Sequence, residues 1–360
     1  MAALAVVMVV GAACSSAGAG PSATTASAGS AAHLTTDTAP DDAPAVPSAG
    51  CARTPVGPVS NQKVTLDVDG TPRWYLIDTP SPATPGPAGV PPPATGPIPR
   101  PLLVNFHGLD EGAVIQSTMT MFGPLGQKDG FVSVFPNGRG SPVAWQITAP
   151  GQPNPDLAFV TAMVDQVEST QCIDTSRVYA TGLSNGSFMT SLVACTMADR
   201  FAAVAAVSGL LSPTNCHPAR RIPVLAFHGT ADPILYFNGG VGTAALNRAF
   251  GKGGPSGSAA PAAPTPVNLH GKGYPANVQA WAVRNGCDPA STDTRVSSQV
   301  ILRTYRCPAG TGVEFYIILG GGHAWPGSTF SRAIDSITGF TTFQINASDA
   351  IWQFFRRYRL

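Results

Sequence analysis

The sequence predicts an α/β protein with a mostly parallel central sheet of about eight strands flanked by helices. Three observations carry this reading. Apolar, β-branched runs recur along the chain, each ended by Gly, Pro or Asn. Most of these runs are continuous rather than alternating, as strands covered on both faces are. Helical stretches lie between them, and strands that alternate with helices build parallel sheets.

Taken in order, Val64 to Val68 and Trp74 to Ile77 alternate and read as an antiparallel edge pair. The continuous runs follow at Leu102 to Phe106, Phe131 to Phe135, Val178 to Thr181, Ala203 to Val207, Val224 to Phe227 and Phe315 to Leu319. The clearest helix runs from Pro155 to Ser169. Asn154 stands at its N-cap, Pro155 at its first position, and Phe159, Met163 and Val167 lie on one face. A second helix, Phe188 to Met197, carries apolar Leu192 and Ala194. The cations Arg356, Arg357 and Arg359 finish a last helix, where they complement its dipole.

Two domains would fit the length, but single α/β enzymes of this size are routine. After the first dozen residues, 1–50 are small and polar with no aromatic, a composition that cannot bury enough surface to order itself. We therefore expect a leader and an Ala/Ser/Pro-rich tether over 1–50 and one catalytic domain over 51–360. Two segments break the strand–helix rhythm of that domain. They are a proline-rich loop at 80–101 and a Gly/Ala/Pro-rich insertion at 239–266, on the edge where function is expected.

Met1 to Ala13 is apolar and too short for a membrane span of about 20 residues, so it reads as the apolar core of a secretory signal. It lacks a basic start. Cys14, followed by Ser15-Ser16-Ala17-Gly18, resembles a bacterial lipobox with a tether behind it, although Gly11 stands where that motif carries an aliphatic residue. Cys14 is thus the candidate for a lipid anchor. The expected location is outside the cell or on the outer face of a bacterial envelope.

Cysteine usage points the same way. Six cysteines remain, with no C-x-x-C pair of the kind a zinc or redox site uses, so disulfides are the natural reading and no metal is expected. Six cysteines admit many pairings. The sequence does not choose among them; the expected set is Cys195 with Cys216 and Cys287 with Cys307, which close local loops, and Cys51 with Cys172, which ties down the chain entry. Charged residues make up 11%, with a net charge of +1, and no basic stripe exists to hold phosphates. Nucleic acid is excluded as an expected partner.

The chemistry centres on Thr181-Gly182-Leu183-Ser184-Asn185-Gly186. A G-x-S-x-G pattern is weak in a chain with 39 glycines. Here a strand precedes it and a helix follows, which is the setting of a nucleophile elbow and makes Ser184 the candidate nucleophile. A serine hydroxyl needs a base, and the base a carboxylate. Of the six histidines, His33, His217 and His270 read as surface residues, and His107 and His228 end strands. His323 follows the last strand within Gly320-Gly321-Gly322-His323-Ala324-Trp325-Pro326-Gly327, a loop free to carry an imidazole over the sheet edge.

Asp232 lies just past a buried strand in His228-Gly229-Thr230-Ala231-Asp232, where catalytic groups of open α/β sheets gather. Asp156, Asp165 and Asp174 have ordinary helix or turn readings. The chain order Ser184, Asp232, His323 is that of the α/β-hydrolase fold. Its oxyanion hole would use the backbone amides of Asn185 and of Leu109, with Gly108 in reserve. Trp325 and His107 are the candidates for lining the substrate pocket; each has a structural alternative, Trp325 in packing and His107 in bonding at its strand end. No cofactor is expected.

These elements, Phe106-His107-Gly108, Phe131 to Gly138, Arg177 to Gly186, His228 to Asp232 and Gly322 to Gly327, resemble the secreted esterase family of polyhydroxybutyrate depolymerases, feruloyl esterases and acetylxylan esterases. The resemblance spans Val64 to Leu360, and its H-G-T-x-D and G-G-H-x-W-P-G elements are more specific than G-x-S-x-G. It implies the same triad. Tyr274-Pro275, Trp281 and Asn285-Gly286-Cys287 are similar to the stretch this family carries before its histidine, where the cysteine is usually disulfide-bonded. Leu109 stands where many relatives have cysteine, and Ser187 where many have glycine.

The expected function is a secreted serine esterase acting through an acyl-enzyme on Ser184, with a hydroxyalkanoate, feruloyl, acetyl or short-chain ester as substrate. Two alternatives stay open. One is an acyltransferase with the same triad, and the other a catalytically silent envelope lipoprotein that binds a ligand.

Overall fold

The computed structural model describes residues 44–54, 57–82, 84, 96–242, 247 and 266–360. Cys14 and the leader, most of the proline-rich loop and most of the insertion lie outside the described residues. Among the described residues ten strands form one sheet: β1 (Val59–Val68), β2 (Thr71–Thr79), β3 (Arg100–Phe106), β4 (Val132–Pro136), β5 (Ile173–Leu183), β6 (Ala203–Val207), β7 (Val224–Gly229), β8 (Ser291–Arg295), β9 (Val300–Tyr305) and β10 (Val313–Ile318). Their spatial order is β1-β2-β4-β3-β5-β6-β7-β10-β9-β8. From β4 to β10 neighbours run parallel, while β1, β2, β9 and β8 extend the two edges antiparallel.

Among the described residues the α-helices are α1 (Gly112–Thr120), α2 (Phe122–Asp129), α3 (Pro155–Thr170), α4 (Asn185–Thr196), α5 (Tyr274–Arg284), α6 (Thr329–Ala333), α7 (Asp335–Thr338) and α8 (Ala347–Phe355). Asn154 caps α3, its side-chain oxygen accepting from the Asp156 and Leu157 amides at 2.8 and 3.1 Å. The last helix ends at Phe355, and Arg357 beyond it pairs with Glu314 at 2.6 Å.

Alternate residues of each parallel strand feed different cores. Leu102, Val104, Val178, Ala180, Val204 and Val224 pack with Phe159 and Met163 of α3, Val193 of α4 and Trp281 of α5. Leu103, Tyr179, Ala205 and Leu225 pack with Phe122 of α2 and Ile351, Trp352 and Phe355 of α8. Both faces are therefore covered, which is why these strands read as unbroken apolar runs. Strands β8 and β9 gave no such signal: β8 is the polar, largely exposed Ser-Thr-Asp-Thr-Arg at the sheet margin.

Three disulfides join Cys51 to Cys172, Cys195 to Cys216 and Cys287 to Cys307. They are the expected pairs. The last of them closes the β8–β9 hairpin, and the first anchors residues 49–52 beside the start of β5.

Candidate active site

Strands β5, β7 and β10 point the same way, so the segments that leave their C-terminal ends meet at one rim of the sheet. Ser184 leaves β5, Asp232 follows β7 and His323 follows β10. The sheet thus supplies the convergence that three distant stretches of sequence require.

Ser184 sits between β5 and α4 with φ 56° and ψ −120°, a backbone conformation that costs a non-glycine residue about 1–3 kcal/mol. Its surroundings hold it there. The Ser184 amide donates to Val207 O at 3.0 Å, and its carbonyl accepts from the Ser187 and Phe188 amides at 2.9 and 3.0 Å. A Cβ at position 186 would stand 2.6 Å from His107 O, so glycine is what lets α4 start against the end of β3. The resulting tight turn is the elbow that presents a serine at a sheet edge.

Asp232 is fully buried. Oδ1 accepts from the Ile234 and Leu235 amides, each at 2.8 Å, while Oδ2 lies 2.8 Å from Nδ1 of His323. Nδ1 therefore carries the proton and Nε2 is left as the basic nitrogen. Burial works against a charged His323, but the charge and hydrogen bond of Asp232, with a further contribution from Glu111, outweigh it and hold the imidazole above its ordinary value.

A second histidine braces the carboxylate. His228 Nε2 lies 2.8 Å from Leu235 O and 3.3 Å from Asp232 Oδ2, and its ring stacks on Tyr274 at 3.7 Å. Burial pushes His228 down to about 4, so it is neutral here. The strand-end reading of His228 covers its bond to Leu235, but its contact with Asp232 was not legible from spacing.

In the turn after β3, where an oxyanion donor is expected, the Gly108 amide donates to Glu111 Oε2 at 2.7 Å and the Asp110 amide to Val143 O at 2.8 Å. Gly108 is thereby removed as a reserve oxyanion donor, which leaves the Leu109 amide between two occupied neighbours. Asn185 starts α4, and its side chain grips Trp145 twice, accepting from the Trp145 amide at 2.7 Å and donating to Trp145 O at 3.2 Å. Trp145 in turn donates from its indole to His107 O at 2.9 Å. Sequence reasoning missed Trp145 and Glu111. Glu111 could have been found from its place three residues after Gly108, the spacing at which a carboxylate reaches back to a turn amide.

Both candidates for lining the pocket take up their structural alternatives. His107 is wholly buried, its Nδ1 bound to Gly108 O at 2.6 Å and its Nε2 accepting from the Gly138 amide at 2.8 Å. Both ring nitrogens are spent on the loops, and burial holds the ring neutral at about 4. Trp325 is also interior, donating to Ser348 Oγ at 3.0 Å and packing edge-on to Phe122. Each residue is thus engaged within the protein interior.

Known proteins resemble this chain in sequence and fold. Residues 117–223, which include Ser184, match the model of the prolyl oligopeptidase family. Feruloyl esterase B of Piromyces equi is 27% identical over 237 residues, covering 64% of this chain and 40% of that protein. The putative esterase NocK of Nocardia uniformis subsp. tsuyamanensis is 32% identical over 205 residues, covering 56% of this chain and 57% of its own. The chain thus spans less than two thirds of the length of these relatives. Acetyl xylan esterase from Aspergillus awamori superposes with a TM-score of 0.50 at 14% identity, covering 77% of this chain and 98% of that one, a likeness of fold. The chain thus has the mixed α/β fold of these hydrolases and is similar in sequence to a feruloyl esterase and to a putative esterase.

Proposed function

We propose that the protein is a serine carboxylic-ester hydrolase. Ser184 Oγ attacks the ester carbonyl as its proton passes to Nε2 of His323. Asp232 holds Nδ1 and balances the imidazolium. The oxyanion is met by the Asn185 and Leu109 amides, a device in which one donor is worth about 3 kcal/mol. The imidazolium then protonates the departing alcohol, and water activated by His323 releases the acid and frees Ser184. The observation that carries this reading is the 2.8 Å contact between His323 and Asp232 on the rim where Ser184 occupies its strained turn.

The acyl group is a feruloyl, acetyl, short aliphatic or hydroxyalkanoate unit, the first two supported by the relatives' names. Three disulfides support a site of action outside the reducing cytosol, at the cell surface or beyond. Residues 51–360 act as one catalytic domain behind an exported leader, with Cys14 the proposed point of lipid attachment. Hydrolysis of nitrophenyl acetate and methyl ferulate by wild type and by Ser184→Ala tests the reading. Equal rates would overturn it.

A further inference from the structure

The two proposed oxyanion donors belong to different elements, the turn after β3 and the start of α4, and one short stretch of chain is bonded to both. It lies in the connection between β4 and α3. Val143 O accepts from the Asp110 amide, next in sequence to Leu109, at 2.8 Å. Two residues on, the Asn185 side chain bonds both backbone groups of Trp145, accepting from its amide at 2.7 Å and donating to its carbonyl at 3.2 Å. Ala144 between them pairs with Arg139 across the loop, its amide donating at 2.9 Å and its carbonyl accepting at 3.0 Å. Val143, Ala144 and Trp145 are thus held on three successive residues.

The buried indole of Trp145 adds a further link. It donates to His107 O at 2.9 Å and packs on Phe106 and His107, with ring centroids 5.3 and 4.8 Å apart. His107 is tied to the same loop a second time, since its Nε2 accepts from the Gly138 amide at 2.8 Å. The Ala113 amide, in the first turn of α1, donates to Asn137 Oδ1 at 3.0 Å. A Cβ at position 138 would stand 2.5 Å from Ala144 O and 3.1 Å from His107 Nε2, so glycine is what allows so close a passage. The turn that carries Leu109 is therefore fastened to this loop at His107, Asp110 and Ala113.

We propose that Trp145 and the side chain of Asn185 are positioning residues, which act through the Val143-Ala144-Trp145 strap to fix the spacing of the Leu109 and Asn185 amides. This inference rests on the serine-hydrolase reading above. An oxyanion hole works because its donors are in place for the tetrahedral oxygen before the reaction begins, and a misplacement of about 1 Å can cost about 10²-fold in rate. Donors on separate elements can drift independently, and a strap bonded to both removes that freedom. A polar side chain in the first turn that served only its helix would bond that helix. Asn185 bonds Trp145 of the neighbouring loop instead.

Asn185→Ala removes both bonds to Trp145 and keeps a backbone amide at that position. Trp145→Phe keeps an aromatic ring against Phe106 and removes the bond to His107 O. Per titrated active site, we expect kcat/KM on nitrophenyl acetate to fall roughly tenfold to a hundredfold in the first and roughly threefold to tenfold in the second. A packing role would lower the thermal midpoint and leave the surviving sites intact. The discriminating readout is inhibition by an aryl trifluoromethyl ketone, whose tetrahedral adduct with Ser184 carries an oxyanion. Its inhibition constant should weaken in each variant by the same factor as kcat/KM. A crystal structure of wild type with a phosphonate on Ser184 needs no variant, and should show the phosphonyl oxygen on both amides with the strap bonds kept. Unchanged ketone inhibition in either folded variant, or a phosphonyl oxygen that misses either amide, would overturn the proposal. A wild-type protein inert to both ester and phosphonate would defeat the hydrolase reading itself.

Discussion

The carboxylate of Asp232 and the imidazole of His323, 91 positions apart in the chain, meet with Oδ2 and Nδ1 separated by 2.8 Å. Two backbone amides fix the other carboxylate oxygen. The pair is buried, so its geometry is set by the protein and not by water. Replacing Asp232 with Asn would reverse the hydrogen-bonding at Oδ2 and favour the wrong tautomer of His323. We expect kcat to fall about 10³–10⁴-fold with the circular-dichroism spectrum unchanged.

The raised His323 sets the direction of the pH profile. A base whose conjugate acid is stabilised in the enzyme becomes available only above its ordinary value of 6.5. Initial rates of nitrophenyl ester hydrolysis should therefore give a kcat/KM that declines with acid from a midpoint above 6.5, with a single proton taken up per active site. A midpoint below that value would mean that burial outweighs Asp232.

Buried neutral histidines make the fold acid-sensitive. His107 and His228 are held near 4 in the protein, against 6.5 for a free histidine, so between those values the unfolded chain binds more protons than the folded one. Stability is accordingly lost as pH falls through that window. Glu111, raised to about 7, acts in the opposite sense between 4.5 and 7 and, with the smaller upward shifts of Asp78 and Glu168, offsets part of this. Urea midpoints measured on Ser184→Ala should drop as pH is lowered from 6.5 towards 4.5.

The Arg73–Asp156 ion pair, at 2.7 Å with both side chains buried, offers a stability test away from the rim. Asp156 also accepts from the Gln146 amide at 2.7 Å. Arg73→Ala strands that carboxylate in the interior and should cost about 3–5 kcal/mol in denaturant unfolding. Arg73→Leu combined with Asp156→Leu removes both charges, and should cost clearly less than the single change.

Much of this protein is written locally. The eight apolar runs became strands β1 to β7 and β10, and the continuous ones among them lie between two covered faces, the only stable place for an unbroken run of Val, Leu, Ile and Phe. Asn154-Pro155 marks the start of α3 by the same logic, since capping is a matter of a few adjacent residues. The strand–Ser184–helix context is equally local. Strands β8 and β9 escaped notice because a polar hairpin at a sheet margin takes its stability from pairing and a disulfide rather than from its own apolar pattern.

Only the tertiary structure decided what surrounds each functional side chain. It turned His107 and Trp325 inward, set His228 against Asp232, occupied the Gly108 amide and brought Glu111 within the field of His323. Sequence names the groups a site can use, because chemistry follows from residue type and a turn from its neighbours. Burial and electrostatic environment depend on which distant segments the sheet carries to the same rim, and that is a property of strand order, which no short stretch of sequence contains.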